Sequence, residues 1–190
     1  MSRRLFAGAT MALFASACTS TVGTPQLSVR AVRAASAADV PAMAVGSFTA
    51  TGQAAGSDRA VGLRADTIKP PAGGSFARYL GDTLAEQLRL SAKLDPAAPL
   101  ILSGVLEENH ANTDVGKAHG ALVATFRLSR GTNLLFEKRL RVDAEWNSSF
   151  IAAAAVPEAE RNYTALYPRL VEILLEDPDF RAAARAAHPA

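Results

Sequence analysis

Two groups of residues in this 190-residue chain could do chemistry. One is Cys18, the single cysteine. A lone thiol forms no internal disulfide, so the fold must be held by packing, which a chain of this size can achieve. The other surrounds His110 and His119, with Glu107, Glu108 and Asp114 close in sequence. Imidazole and carboxylate are the donors that zinc and other transition metals take. However, no HExxH, HxH or cysteine–histidine spacing accompanies them. The string Asn109 to Lys117 is rich in turn formers, so a polar connection between strands explains the same residues. His188 stands near the C-terminus. Gly73-Gly74-Ser75 opens a helical pattern and could receive an anion, but the usual phosphate-loop lysine is missing and capping by Ser75 is the simpler explanation. There is no G-x-S-x-G nucleophile elbow. No catalytic residue, metal ligand or cofactor is assigned, and the expectation is a non-enzymatic protein. The alternative is a periplasmic metal-binding protein or hydrolase using the His110/His119 loop.

The surroundings of Cys18 are more informative. Arg3 and Arg4 precede an uncharged stretch from Leu5 to Ala17 that is mostly apolar. A bilayer span needs ~20 apolar residues, so this shorter run with its basic flank reads as a cleaved export signal. The ending Ala15-Ser16-Ala17-Cys18 resembles the lipobox of bacterial lipoproteins, with alanine at the usual leucine position. The resemblance implies that residues 1–17 are removed as a signal peptide. Cys18 then takes a thioether-linked diacylglycerol, and its new amino group is acylated, as with palmitate. One acyl chain holds a protein only marginally, whereas two or three on one residue hold it stably. In enteric lipoproteins an aspartate after the cysteine retains the protein at the inner membrane. Thr19 therefore points to the outer membrane, facing the periplasm. Ser2 to Phe6 (S-R-R-L-F) also resembles the twin-arginine export motif in part.

Charge bounds the partners. Removing Arg3 and Arg4 from the 20 basic residues leaves 18 against 18 acidic ones. A neutral mature domain lacks the clustered cations that nucleic acid binding requires.

Hydrophobic patterning then places the elements. Residues 18–40 read as the lipidated N-terminus and a flexible tether, and 41–190 as a single α+β periplasmic domain. A strand is expected over Met43 to Thr49, followed by a polar, glycine-rich stretch through Gly62. Ser75 caps a helix to about Leu94, with Phe76, Tyr79, Leu80, Leu84 and Leu88 on one face. Strands follow at Leu100 to Leu106, Ala118 to Ser129 and Leu134 to Trp146. The last two form an antiparallel hairpin through Ser129-Arg130-Gly131-Thr132. In the last strand Leu134, Phe136, Leu140, Val142, Ala144 and Trp146 share a face, interrupted by Lys138. Pro157 opens a second helix with Tyr163, Leu166, Leu170, Ile173 and Leu174 as its stripe, and Pro168 should kink it. Asp177-Pro178 starts a short final helix. The expected fold is α+β: an antiparallel sheet of about four strands with two main helices packed on one face.

The segment A-E-W-N-S-S-F-I carries the only tryptophan. Trp146, Phe150 and Ile151 could form a partner-docking edge, although Trp146 also falls in register as a core residue. Together with G-S-F-A-R-Y-L (Gly74 to Leu80) and E-D-P-D-F (Glu176 to Phe180), this segment resembles small envelope lipoproteins of Gram-negative bacteria. These include YajG-like lipoproteins, the lipoprotein partner in lipopolysaccharide assembly, and auxiliary lipoproteins of envelope ABC transporters. The resemblance covers about residues 40–182. It implies a membrane-anchored component of an envelope transport or assembly system, with a protein or lipid partner.

Overall fold

The central hairpin follows from alternation. Leu122, Ala124, Phe126 and Leu128 are buried in one strand, and Phe136, Leu140, Val142 and Trp146 in the next. The intervening Glu137, Arg139, Arg141, Asp143 and Glu145 face solvent. The computed structural model describes residues 18–187 apart from 38, 65, 72 and 73. Residues 1–17, where an export signal is expected, Gly73 and His188 lie outside the described residues. Element order is β1 (Cys18–Thr21), α1 (Val29–Ala35), β2 (Ala44–Ala50), α2 (Gly52–Ser57), β3 (Val61–Leu63), β4 (Asp66–Lys69), α3 (Phe76–Leu90), β5 (Leu100–Ala111), β6 (Gly116–Arg130), β7 (Asn133–Ser148), α4 (Ala152–Glu176) and α5 (Pro178–Ala186).

The α+β class holds, but a single antiparallel sheet with two helices does not. The larger sheet has the order β2-β5-β6-β7, and β2 pairs with β5 in parallel. A parallel neighbour needs a long crossover, and the chain between β2 and β5 supplies one that includes α3. A second, three-stranded sheet of order β1-β4-β3 mixes parallel and antiparallel pairs. Its strands are only three or four residues long, too short for an alternation to be read.

Both main helices lie where their stripes direct them. Ser75 Oγ accepts from the Arg78 N–H at 3.0 Å, and Phe76, Tyr79, Leu80, Leu84 and Leu88 are all buried. The helix stops at Leu90, short of the expected Leu94, because Ser91 caps it and Ala92 turns into the left-handed region at φ 56°. Helix α4 starts at Ala152, ahead of Pro157, and runs through Pro157 and Pro168. Asp177 caps α5, accepting from the Asp179 and Phe180 N–H groups at 3.0 and 3.1 Å. Lys138, which broke the apolar face of β7, holds Asp177 and Asp179 at 2.7 and 2.6 Å. Leu134 is 56% exposed rather than core, since a register shift opposite Leu128/Ser129 puts an extra residue in β7 between it and Phe136.

Residues 18–40 fold as well. Val22, Ala31, Ala35 and Val40 are buried. Ser28 caps α1 and donates to Glu172 of α4 at 2.7 Å, while Arg30 meets the same carboxylate at 3.2 Å. The buried face of α1 is made of alanines. Alanine buries too little surface to produce a visible hydrophobic period, so the segment reads as a tether. Among the described residues no helix is long and apolar enough to cross a membrane.

Candidate functional site

Three places could carry function: the strand that begins at Cys18, the tip of the β5–β6 hairpin, and the end of β7. Their geometry is linked.

Cys18 is the first residue of β1, aligned with Asp66 of β4, and Leu63 of β3 aligns with the same Asp66. The backbone at position 18 therefore lies beside the start of β4, and Arg64, which follows β3, adopts φ 40°. Arg64 Nη1 donates to the carbonyl oxygens of Ser149 and Phe150 at 3.2 and 3.4 Å.

The histidines meet, but the carboxylates turn elsewhere. His110 and His119 stand on neighbouring antiparallel strands with ring centroids 6.0 Å apart. Glu107 accepts from Thr125 and Arg139, each at 2.6 Å, and Glu108 from Arg141 at 2.7 Å. The Thr125 hydroxyl, with Arg139 behind it, holds the Glu107 carboxyl below the usual carboxylate range. Asp114 accepts from Asn112 Nδ2 at 2.8 Å, and Asn112 Oδ1 takes the His119 N–H at 2.9 Å. Among the described residues no three His, Cys, Asp or Glu side chains gather as a metal would need. Glu107 and Glu108 form ion pairs with Arg139 and Arg141 on the solvent face of the sheet.

The trio at the end of β7 is divided. Trp146 is buried against Gly120, where an added Cβ would come within 3.2 Å of the indole. Phe150 and Ile151 are 82% and 65% exposed. The backbone reason is simple: β7 ends at Ser148, and the residues between it and α4 leave the sheet.

The sequence reading missed a buried polar cluster at Asn109. A register shift between Leu106 and Glu108 inserts an extra residue into β5. Such a bulge reverses which parity faces inward, so Asn109 enters the core. Its Oδ1 accepts from the Tyr163 hydroxyl at 2.7 Å and its Nδ2 donates to the Ser57 carbonyl at 3.1 Å. Its backbone N–H donates to Gln53 Oε1 at 2.8 Å. The Tyr163 and Tyr167 hydroxyls are 2.7 Å apart. Burial pushes both tyrosines well above their ordinary range. It also pushes Tyr79 up to about 12, opposed only by the Gln26 backbone. Groups so raised stay protonated at neutral pH, and the Tyr163 and Tyr167 hydroxyls serve as hydrogen-bonding struts. A polar residue flanked by Glu107, Glu108 and His110 gave no sign of this role.

A groove of about 580 Å³ runs between edge strand β2 and α3, lined by Val45, Phe48, Arg78, Asp82 and Leu94 among others. Its polar lining consists of Ser47, Ser75, Arg78 and Asp82, and the rest is apolar.

No family model matches the chain, and none of the curated proteins does. Solved structures do align with it. A Xanthomonas campestris protein described under the DUF330 family aligns with a TM-score of 0.50 at 13% identity, covering 83% of this chain and 90% of that one. The rare lipoprotein B of Shewanella oneidensis aligns at 0.46 and 14% identity, covering 70% of this chain and 91% of the other. PelC of Paraburkholderia phytofirmans, solved as a dodecamer, aligns at 0.40 and 17%, covering 72% and 89%. The likeness to the first is one of fold.

Proposed function

We propose that this chain is an exported lipoprotein, lipidated on Cys18 and anchored in the outer membrane facing the periplasm. There it serves as a non-enzymatic component or adaptor of an envelope transport or assembly system. The observation that carries the reading is the lone cysteine behind a basic n-region, a short apolar stretch and small residues. Three independent requirements for processing thus meet at one position. The position of residue 18 at the head of β1 supports it, since a lipid there would join the folded body with no spacer. The ion-paired carboxylates around the histidines favour an adaptor over a hydrolase. Protein or lipid would be the partner.

The test is growth with labelled palmitate followed by membrane separation on a density gradient. The wild-type protein should carry label and band with the outer membrane. Cys18→Ser should lose both label and anchoring. Label persisting on the Cys18→Ser protein would sink the proposal.

A further inference from the structure

We propose that the end of the molecule bearing Phe150, Ile151 and Val115 is a membrane-contact surface, seated in the headgroup region of the bilayer that holds the lipid on Cys18. The inference rests on the lipoprotein reading and extends it by assigning which face of the domain meets the lipid. Three chain segments converge on this end. Cys18 lies one strand spacing, roughly 4.8 Å, from Asp66. Arg64, at the end of β3, whose Leu63 pairs with Asp66, donates to the carbonyls of Ser149 and Phe150. The tip of the β5–β6 hairpin joins them, because Gly116 aligns with Ser148 and the Ser148 hydroxyl donates to the Thr113 carbonyl at 3.4 Å. That tip presents Val115, 61% exposed, and the segment after β7 presents Phe150 at 82% and Ile151 at 65%.

The chemistry of the patch fits an interface. Residues 147–157, from Asn147 to Pro157, contain no charged side chain. Large apolar side chains with so little cover are costly in water, and amphipathic protein surfaces bury such residues ~5–10 Å into the headgroup and acyl boundary. The flanking charges are mixed. Arg64 and Lys117 stand near Asp66, Asp114 and Glu145, and Lys117 lies 4.0 Å from Glu145. The contact is therefore apolar in origin and should depend little on salt. Since Cys18 belongs to β1 itself, its backbone and this patch are parts of one folded body. Insertion of the acyl chains brings the patch to the surface.

The full-length lipidated protein provides the test. Its Cys18 thiol is consumed as a thioether, so Phe150→Cys introduces the only free thiol. Leu134→Cys, at the far end of β7 and also exposed, serves as control. Each is labelled with an environment-sensitive fluorophore, and the protein is reconstituted in phosphatidylethanolamine/phosphatidylglycerol vesicles. Iodide quenching at 150 should be roughly threefold or more weaker than at 134, as expected for a probe ~5–10 Å inside the interface. Equal quenching at both sites on anchored protein would overturn the proposal. Protection at 150 found in native membranes but not in these vesicles would also overturn it, in favour of a protein partner. Two free thiols on the Phe150→Cys protein, counted by mass, would instead show that Cys18 bears no lipid, and both readings would fall.

Discussion

Replacing Asn109 by alanine is expected to cost roughly 2–4 kcal/mol of folding free energy, from an orphaned buried hydroxyl at ~1–3 kcal/mol, a part-buried carbonyl at the low end of that range and a small cavity. Asn109 is 1% exposed. Truncation leaves the Ser57 carbonyl without its 3.1 Å donor and Tyr163 without its 2.7 Å acceptor. The Tyr163 and Tyr167 hydroxyls still face each other at 2.7 Å, but only one can donate to the other, so one buried proton has nowhere to go. Tyr163→Phe should cost less, about 1–2 kcal/mol, because the Tyr167 hydroxyl can then turn to Asn109 Oδ1, which it already approaches at 3.4 Å. The double variant should fall short of the sum, with a coupling of ~0.5–3 kcal/mol for groups in one network. Urea unfolding in a Cys18→Ser background measures all three, with the slope of the transition unchanged. An Asn109→Ala protein within about 0.5 kcal/mol of its parent would refute the reasoning, since that is the range of ordinary surface changes.

Other perturbations read other parts of the account. Leu84→Ala and Leu170→Ala, both fully buried, should each lose ~2–5 kcal/mol, whereas Glu86→Ala, on the solvent face of α3, should barely move the melting temperature. Asp39 is held below its ordinary range chiefly by its hydrogen bond from Arg181. A carboxyl depressed in the folded state contributes stability that is present above its unfolded pKa and lost as pH falls through the folded value. Asp39→Asn should therefore flatten the decline in melting temperature between about pH 5 and pH 2, and an unchanged acid limb would contradict the pairing. The double His110→Ala, His119→Ala protein should keep its fold and membrane attachment. Stoichiometric transition metal in the dialysed wild-type protein, lost in that variant, would reverse the non-enzymatic assignment.

Some of this was legible before the structure. The β6–β7 hairpin, the Ser75 cap and the Asp177-Pro178 helix start each rest on local rules: period-two alternation, an N-cap hydroxyl, a proline at the first helical position. Those rules act over a few residues, so one sequence suffices. The parallel β2–β5 pair was not legible, because β2 shows the same short apolar run whichever direction its neighbour takes. The Leu106–Glu108 bulge hid the last third of β5 by reversing the inward parity midway. The alanine face of α1 concealed a packed helix as a tether. Around the candidate site, the exposed Phe150 and Ile151 could be picked out by composition, but the link that leads from them through Arg64 to the strand beside β1 could not. It depends on the register of β1 with β4 and on the reach of Arg64, both of them pairings between distant parts of the chain.

The central claim concerns one sulfur atom. Protein purified from membranes and cut with trypsin should yield an N-terminal peptide running from Cys18 to Arg30, heavier than its sequence by a diacylglyceryl group and an amide-linked acyl chain. A peptide with the same start and a free Cys18 thiol, or one that still contains Ala17, would contradict the account.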